Sequence, residues 1–129
     1  MAEDVQYETL MDALGIRIVT LEKEKVIAEM PVDGRVKQPF GLLHGGASVA
    51  LAETLASVGA YHLVDQDKQY VVGLEINANH IRSKKEGIVT AVGIPLHIGR
   101  STMVWEIKLM DEEDKLLCVS RCTIAVRSF

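Results

Sequence analysis

Gly41-Leu42-Leu43-His44-Gly45-Gly46-Ala47-Ser48-Val49-Ala50-Leu51-Ala52-Glu53-Thr54 is the stretch that decides the fold. It runs on from Leu55 to Val64 as a continuous series of apolar and small residues, and between Lys37 and Asp65 the only formal charge is Glu53. Alanine and leucine, which dominate here, are good helix formers. The length allows roughly five helical turns. A helix that is apolar on nearly every side is buried all round, so a central helix enclosed by the rest of the chain is predicted. Glu53 then sits where water is scarce. Three and four residues away along the helix stand Val49, Ala50, Ala56 and Ser57, none of which can pair its charge. Ionising a carboxylate there is costly, and its pKa rises unless something compensates. Such groups tend to be working groups. The alternative is a structural acid, hydrogen-bonded to Thr54 or Ser57.

His44-Gly45-Gly46 opens this helix. The first N–H groups of a helix have no partner within it and carry partial positive charge, and glycine lets another group approach them closely. A carbonyl oxygen brought there would be polarised, as in an oxyanion hole. A plain tight turn, with His44 as a satisfied loop residue, is the competing reading. Distance constrains the functional one. The eight residues from Gly45 to Glu53 span about 12 Å of helix, too far for one scissile carbonyl to touch both. If both act on one bond, they come from two chains. A two-fold pair of antiparallel helices would supply that arrangement twice.

Outward from the helix, the 129 residues suit one domain spanning 1–129, of a size that buries roughly two thirds of its surface. A net charge of −4 argues against a nucleic-acid partner. No apolar run reaches the ~20 residues of a membrane span. The acidic start Met1-Ala2-Glu3-Asp4 is unlike a secretory signal, so a cytoplasmic location is expected. Cys118 and Cys122 lie four apart in a strand-like run and share a face. At about 13 Å they cannot bridge each other in one straight strand, and buried reduced thiols are expected. No His, Cys or carboxylate pair shows metal-ligand spacing, and no GxSxG elbow is present.

In chain order, Val5 to Leu14 is predicted to be a short amphipathic helix stopped by Gly15. Ile16 to Leu21 and Val26 to Val32 alternate as strands, and Asp33 to Phe40 is a loop. After the central helix comes a strand over Gln69 to Arg82, with Tyr70, Val72, Leu74, Ile76 and Ala78 on one face and His80 and Arg82 continuing that phase. Ile88 to Ile98, Thr102 to Met110 and Leu116 to Val126 complete the set. One early helix, two strands, a buried helix and four more strands define an α+β domain. An antiparallel sheet wrapped around the one long helix is its natural packing.

The stretches Gln38 to Ser57, Val72 to Ser83 and Pro95 to Arg100 together resemble the hotdog-fold acyl-CoA thioesterases. The likeness is to the branch with an HGG corner and a helix glutamate, which includes 1,4-dihydroxy-2-naphthoyl-CoA and enterobactin-proofreading thioesterases. It covers nearly the whole chain. It implies that Gln38, His44 and Gly45 hold the thioester carbonyl, that Glu53 attacks it or activates water, and that Ser57 helps position water. Nucleotide contacts are implied around His80, Arg82 and Ser83. Arg82, Ser83, Lys84, Lys85 and Arg100 cluster near predicted turns, and their cations could receive the phosphates of coenzyme A, although basic turns are often only solvated. His97 is also matched, without a chemistry to assign. Tyr61 and His62 are read as packing or helix-end residues.

The expected activity is hydrolysis of acyl-CoA thioesters, aromatic by family likeness, with no cofactor beyond the CoA of the substrate. A homodimer with shared sites, pairing into a dimer of dimers, is the expected assembly. Two other readings stand beside it. One is a hotdog hydratase or dehydratase, which would hydrate an enoyl-CoA without releasing thiol. The other is a non-catalytic acyl-CoA sensor, which has no need of a carboxylate beside the scissile bond.

Overall fold

The computed structural model describes residues 5–129, and the acidic start Met1-Ala2-Glu3-Asp4 lies outside them. A short helix, α1 (Leu10–Leu14), leads into strands β1 (Arg17–Leu21) and β2 (Val26–Pro31). One 3-10 turn, Gly34–Val36, precedes the long helix α2 (Gly45–Leu63). Strands β3 (Gln69–His80), β4 (Ile88–Ile98), β5 (Thr102–Met110) and β6 (Leu116–Ser128) follow. All six strands join one antiparallel sheet in the order β1-β2-β4-β5-β6-β3. Helix α2 lies against β2 through β6. This is the expected α+β architecture of one antiparallel sheet around one long helix.

The elements differ from expectation in three instructive places. Helix α1 begins at Leu10, not Val5, because Thr9 and Asp12 form its start: the Thr9 N–H donates to Asp12 Oδ2 at 2.9 Å. Gly15, at φ 75°, ends it in the left-handed conformation. Strand β3 does not keep one phase. Its pairing with β6 slips between Gly73 and Glu75, so Leu74 bulges. One extra residue inverts the alternation. Beyond the bulge Ile76 and Ala78 pack on the core with Val71, while Tyr70, Val72 and Leu74 face outward.

The third difference concerns α2. Leu51, Ala52, Leu55, Ala56 and Ala60 are buried against the sheet. Val49, Ala50, Glu53, Thr54, Ser57 and Tyr61, on the other side, are only half-buried. The expectation of a helix enclosed on every side is therefore corrected. A single sheet covers one side of a helix, and the far side needs another layer. Two glycines set the close approach on the covered side. A Cβ on Gly93 of β4 would stand 2.1 Å from Leu55 Cδ2, and one on Gly59 would stand 2.5 Å from the Trp105 ring. Each glycine is a notch that receives a large core side chain. Among the described residues no helix is long and apolar enough to cross a membrane.

Candidate active site

The loop before α2 is tied to itself and aims its polar groups at the helix start. The Gln38 N–H donates to Leu42 O at 2.8 Å, and Gly41, at φ 83°, makes the turn between them. Gln38 Oε1 accepts from the Phe40 N–H and, at 3.4 Å, from the Leu42 N–H. That engagement orients the carboxamide and leaves its NH2 group to donate elsewhere.

His44 is the N-cap of α2, and its Nδ1 accepts from the Gly46 N–H at 2.8 Å. The hydrogen bond assigns the neutral ring proton to Nε2. The His44 carbonyl takes the N–H groups of Ala47 and Ser48 at 3.0 and 3.2 Å. Of the first turn, the Gly45 N–H is left without a partner among the described residues. A free N–H at the positive end of a helix is a ready donor to a polarised oxygen. The His80 ring lies beside this glycine: a Cβ on Gly45 would stand 2.9 Å from His80 Nε2. Gln38, Gly45, Ser48, His80, Arg82 and Ser83 share one cavity of about 360 Å³.

Glu53 opens on a different cavity, of about 800 Å³, together with Gly46, Val49, Ser57, Tyr61 and Met11 of α1. The geometry follows from the helix. Gly45 and Ser48 are three apart and share one side, whereas Gly46, Ala50, Glu53 and Ser57 recur at spacings of four, three and four along another. Glu53 is half-buried rather than enclosed, and takes part in none of the ion pairs of the described residues. Its carboxylate rests against Gly73 of β3. Beneath it the buried Cys122 thiol is pushed up to about 12, first by burial and then by the negative charges of Glu53 and Glu75. Cys118 and Cys122 are both free and buried, as the sequence predicts.

The structure does not gather all the expected cations. Arg82 lines the smaller cavity and donates from Nη1 to Leu116 O at 3.2 Å. Lys84 is instead ion-paired with Glu112 on the β5–β6 turn, with 10% of its side chain exposed. Lys84, with a backbone bond from Ile88, holds the Glu112 carboxyl down to about 2. Arg100 is exposed on the β4–β5 turn and borders neither cavity. His97 packs beside Gly99, and His62 is exposed in the last turn of α2.

Tyr61, read from sequence as packing, lines the larger cavity. Two residues had no sequence reading. Ser48 could have been found from its place one turn past Gly45. Gly73 could not, because its neighbour Glu53 arrives from a different element. Among the described residues no group of three or more His, Cys, Asp or Glu side chains converges as a metal cage.

A six-stranded antiparallel sheet packed against one long helix has known counterparts. The 1,4-dihydroxy-2-naphthoyl-CoA hydrolase of Listeria monocytogenes is 56% identical over 118 residues, which cover 92% of this chain and 95% of the hydrolase. The proofreading thioesterase EntH of Cronobacter turicensis is 51% identical over 118 residues, covering 92% and 85%. The crystal structure of a mutant of thioesterase PA1618 from Pseudomonas aeruginosa superimposes with a TM-score of 0.91 at 50% identity, covering 94% of this chain and 87% of that one. Residues 40–118, more than half of the chain and all of α2, match the thioesterase superfamily. The chain belongs to that superfamily, and is a hotdog-fold thioester hydrolase.

Proposed function

We propose that this protein hydrolyses acyl-CoA thioesters at two sites shared across a homodimer. Each site takes Gln38, His44 and Gly45 from one protomer and Glu53 and Ser57 from its partner. The observation that carries this reading is that Gly45 and Glu53 open on separate cavities of one chain. A second copy is the simplest way to bring them to one bond. Strand β3 supports it, being an unpaired edge of the sheet with Val72 43% and Leu74 54% exposed. Long apolar edges of this kind are templates for pairing. The uncovered side of α2 lies next to this edge and asks for the same cover. Ile94, Leu96 and Ile98 stand exposed along the second half of β4 and favour a second contact that makes a dimer of dimers.

In the reaction, the Gly45 N–H and the Gln38 NH2 donate to the thioester carbonyl. They stabilise the negative charge that develops on its oxygen. His44, whose Nδ1 takes the Gly46 N–H, helps to hold the carbonyl beside them. Glu53 then either attacks the carbonyl carbon or takes a proton from a water that does. The tetrahedral intermediate collapses by breaking the C–S bond, and CoA leaves as thiolate. In the nucleophilic variant, water next hydrolyses the acyl-Glu53 anhydride. Ser57, one helical turn beyond Glu53, would hold the water. Pantetheine and phosphates are assigned to the cleft of His80, Arg82 and Ser83. Lys84 and Arg100 stay in the proposal only as outlying cations.

The acyl group falls in the larger cavity, whose volume and apolar walls suit a drug-sized ring system. With the similarity to the Listeria 1,4-dihydroxy-2-naphthoyl-CoA hydrolase, this favours an aromatic acyl-CoA such as 1,4-dihydroxy-2-naphthoyl-CoA. A cytoplasmic enzyme of quinone synthesis would meet such a substrate.

A complementation assay tests the shared site. Gln38→Ala and Glu53→Ala homodimers are each expected to be nearly inactive in thiol release. Unfolded together and refolded, they form mixed dimers in which one of two sites is whole. By two-fold symmetry about a quarter of all sites then regain activity. Refolded mixtures that stay as slow as the parents would overturn the shared site.

A further inference from the structure

We propose that Gly73 of β3 is a positioning residue for Glu53: its missing side chain is the seat in which the carboxylate lies. This inference rests on the reading of Glu53 as the reactive acid. A Cβ built on Gly73 would stand 2.5 Å from Glu53 Oε2, 3.2 Å from its Cδ and 3.7 Å from its Cγ. The carboxylate therefore occupies the very space a side chain would fill.

Nothing else about Gly73 asks for glycine. Its φ is outside the left-handed region, unlike those of Gly15, Gly41 and Gly87, so any residue can adopt its backbone. Within the single chain it is exposed, and the three heavy atoms nearest a Cβ there all belong to Glu53. It pairs in register with Ile124 immediately before the Leu74 bulge. Glycines in strand interiors commonly mark such bulges or a close approach by another group, and bulges gather beside active sites. Here the approaching group is the acid.

The comparison with Gly59 and Gly93 sharpens this. Those glycines face Trp105 and Leu55, wholly buried side chains with nowhere to move. Gly73 faces the free end of a half-buried side chain. An alanine at 73 would be accommodated by moving the Glu53 carboxylate about 1 Å, to ordinary contact distance, while the strand stays where it is. A shift of that size in a reacting group can cost about 10²-fold in rate. Alanine also has less freedom to lose on folding than glycine. Gly73→Ala should therefore slow the enzyme without weakening the fold.

The test is steady-state thiol release from benzoyl-CoA, with thermal melting, for Gly73→Ala, Glu53→Ala and their combinations. Gly73→Ala is expected to lower kcat about 100-fold, to leave KM within a few-fold, and to melt at or above the wild-type temperature. In the Glu53→Ala background the same change should cost nothing further. Glu53→Asp withdraws the carboxyl to the distance of the present Cγ, so Gly73→Ala should add little to it. Normal kcat in Gly73→Ala beside an inactive Glu53→Ala would overturn the role of Gly73 and leave the reading of Glu53 intact. An unfolded Gly73→Ala, or an equal loss in both backgrounds, would mark Gly73 as merely structural. An active Glu53→Ala would instead remove the reading on which the inference rests.

Discussion

Helix α2 has two sides that differ in what they answer to. The side against the sheet carries Leu51, Leu55 and Ala60, closed over by Trp105 and by the notches at Gly59 and Gly93. The other side carries Val49, Glu53 and Ser57, and opens on a cavity. Both are built from the same small and apolar alphabet, and only Thr54 separates Leu55 from Glu53. The difference teaches that the composition of a helix does not say which of its sides the fold depends on. The first side answers to packing density. The second answers to chemistry, and proteins commonly give up stability at such positions.

Substitutions on each side should therefore separate stability from turnover. The largest effect is expected from Glu53→Ala, which should cut kcat about 10²- to 10⁴-fold with an unchanged melting temperature. A melting point lowered along with activity would erase the distinction between the sides. Leu55→Ala should do the reverse. Removing a wholly buried side chain costs about 2–5 kcal/mol, and denaturant titration should read that loss while kcat per folded molecule holds. Gly59→Ala should cost less, about 1–3 kcal/mol, the range for overpacking a filled core. A Gly59→Ala protein as stable as wild type would show the Trp105 notch to be slack.

The smallest effect is a pH slope. Cys122 ionises near 9.0 when unfolded but at about 12 in the folded chain. Above pH 9 the unfolded state loses a proton that the folded state keeps, so stability falls as pH rises through that window. For one such group the slope is about 1.4 kcal/mol per pH unit. Cys122→Ala should flatten the high-pH end of the stability curve relative to wild type. Parallel curves for the two proteins would remove Cys122 as the cause.

Much of this was legible along the chain. The run from Ala47 to Val64 announces its helix by composition alone, and the strands announce theirs by alternation. Glu53 stands out because charge is absent for so long on both sides of it. His44-Gly45-Gly46 stands out because glycine at a helix start is a poor choice for stability. The errors arose where one element decides the state of another. The Leu74 bulge is set by pairing with β6, and single-strand alternation does not see it. Lys84 reads as a free cation until the β5–β6 turn brings Glu112 to it. Apolar spacing that reaches back to Val5 predicts a longer α1, while the Thr9–Asp12 pair sets the actual start.

What the amino-acid order settled by itself is local: which segments are helix or strand, where the lone acid falls, and that about 12 Å of helix keeps it from Gly45. Those depend on periodicity and on chain geometry, which a linear reading contains. Only the tertiary structure decided that α2 has an uncovered side, that Gly45 and Glu53 look into different cavities, and that Gly73 makes room for the carboxylate. Each of these is a relation between atoms far apart in sequence, and it exists only after the sheet has chosen which side of the helix to bury.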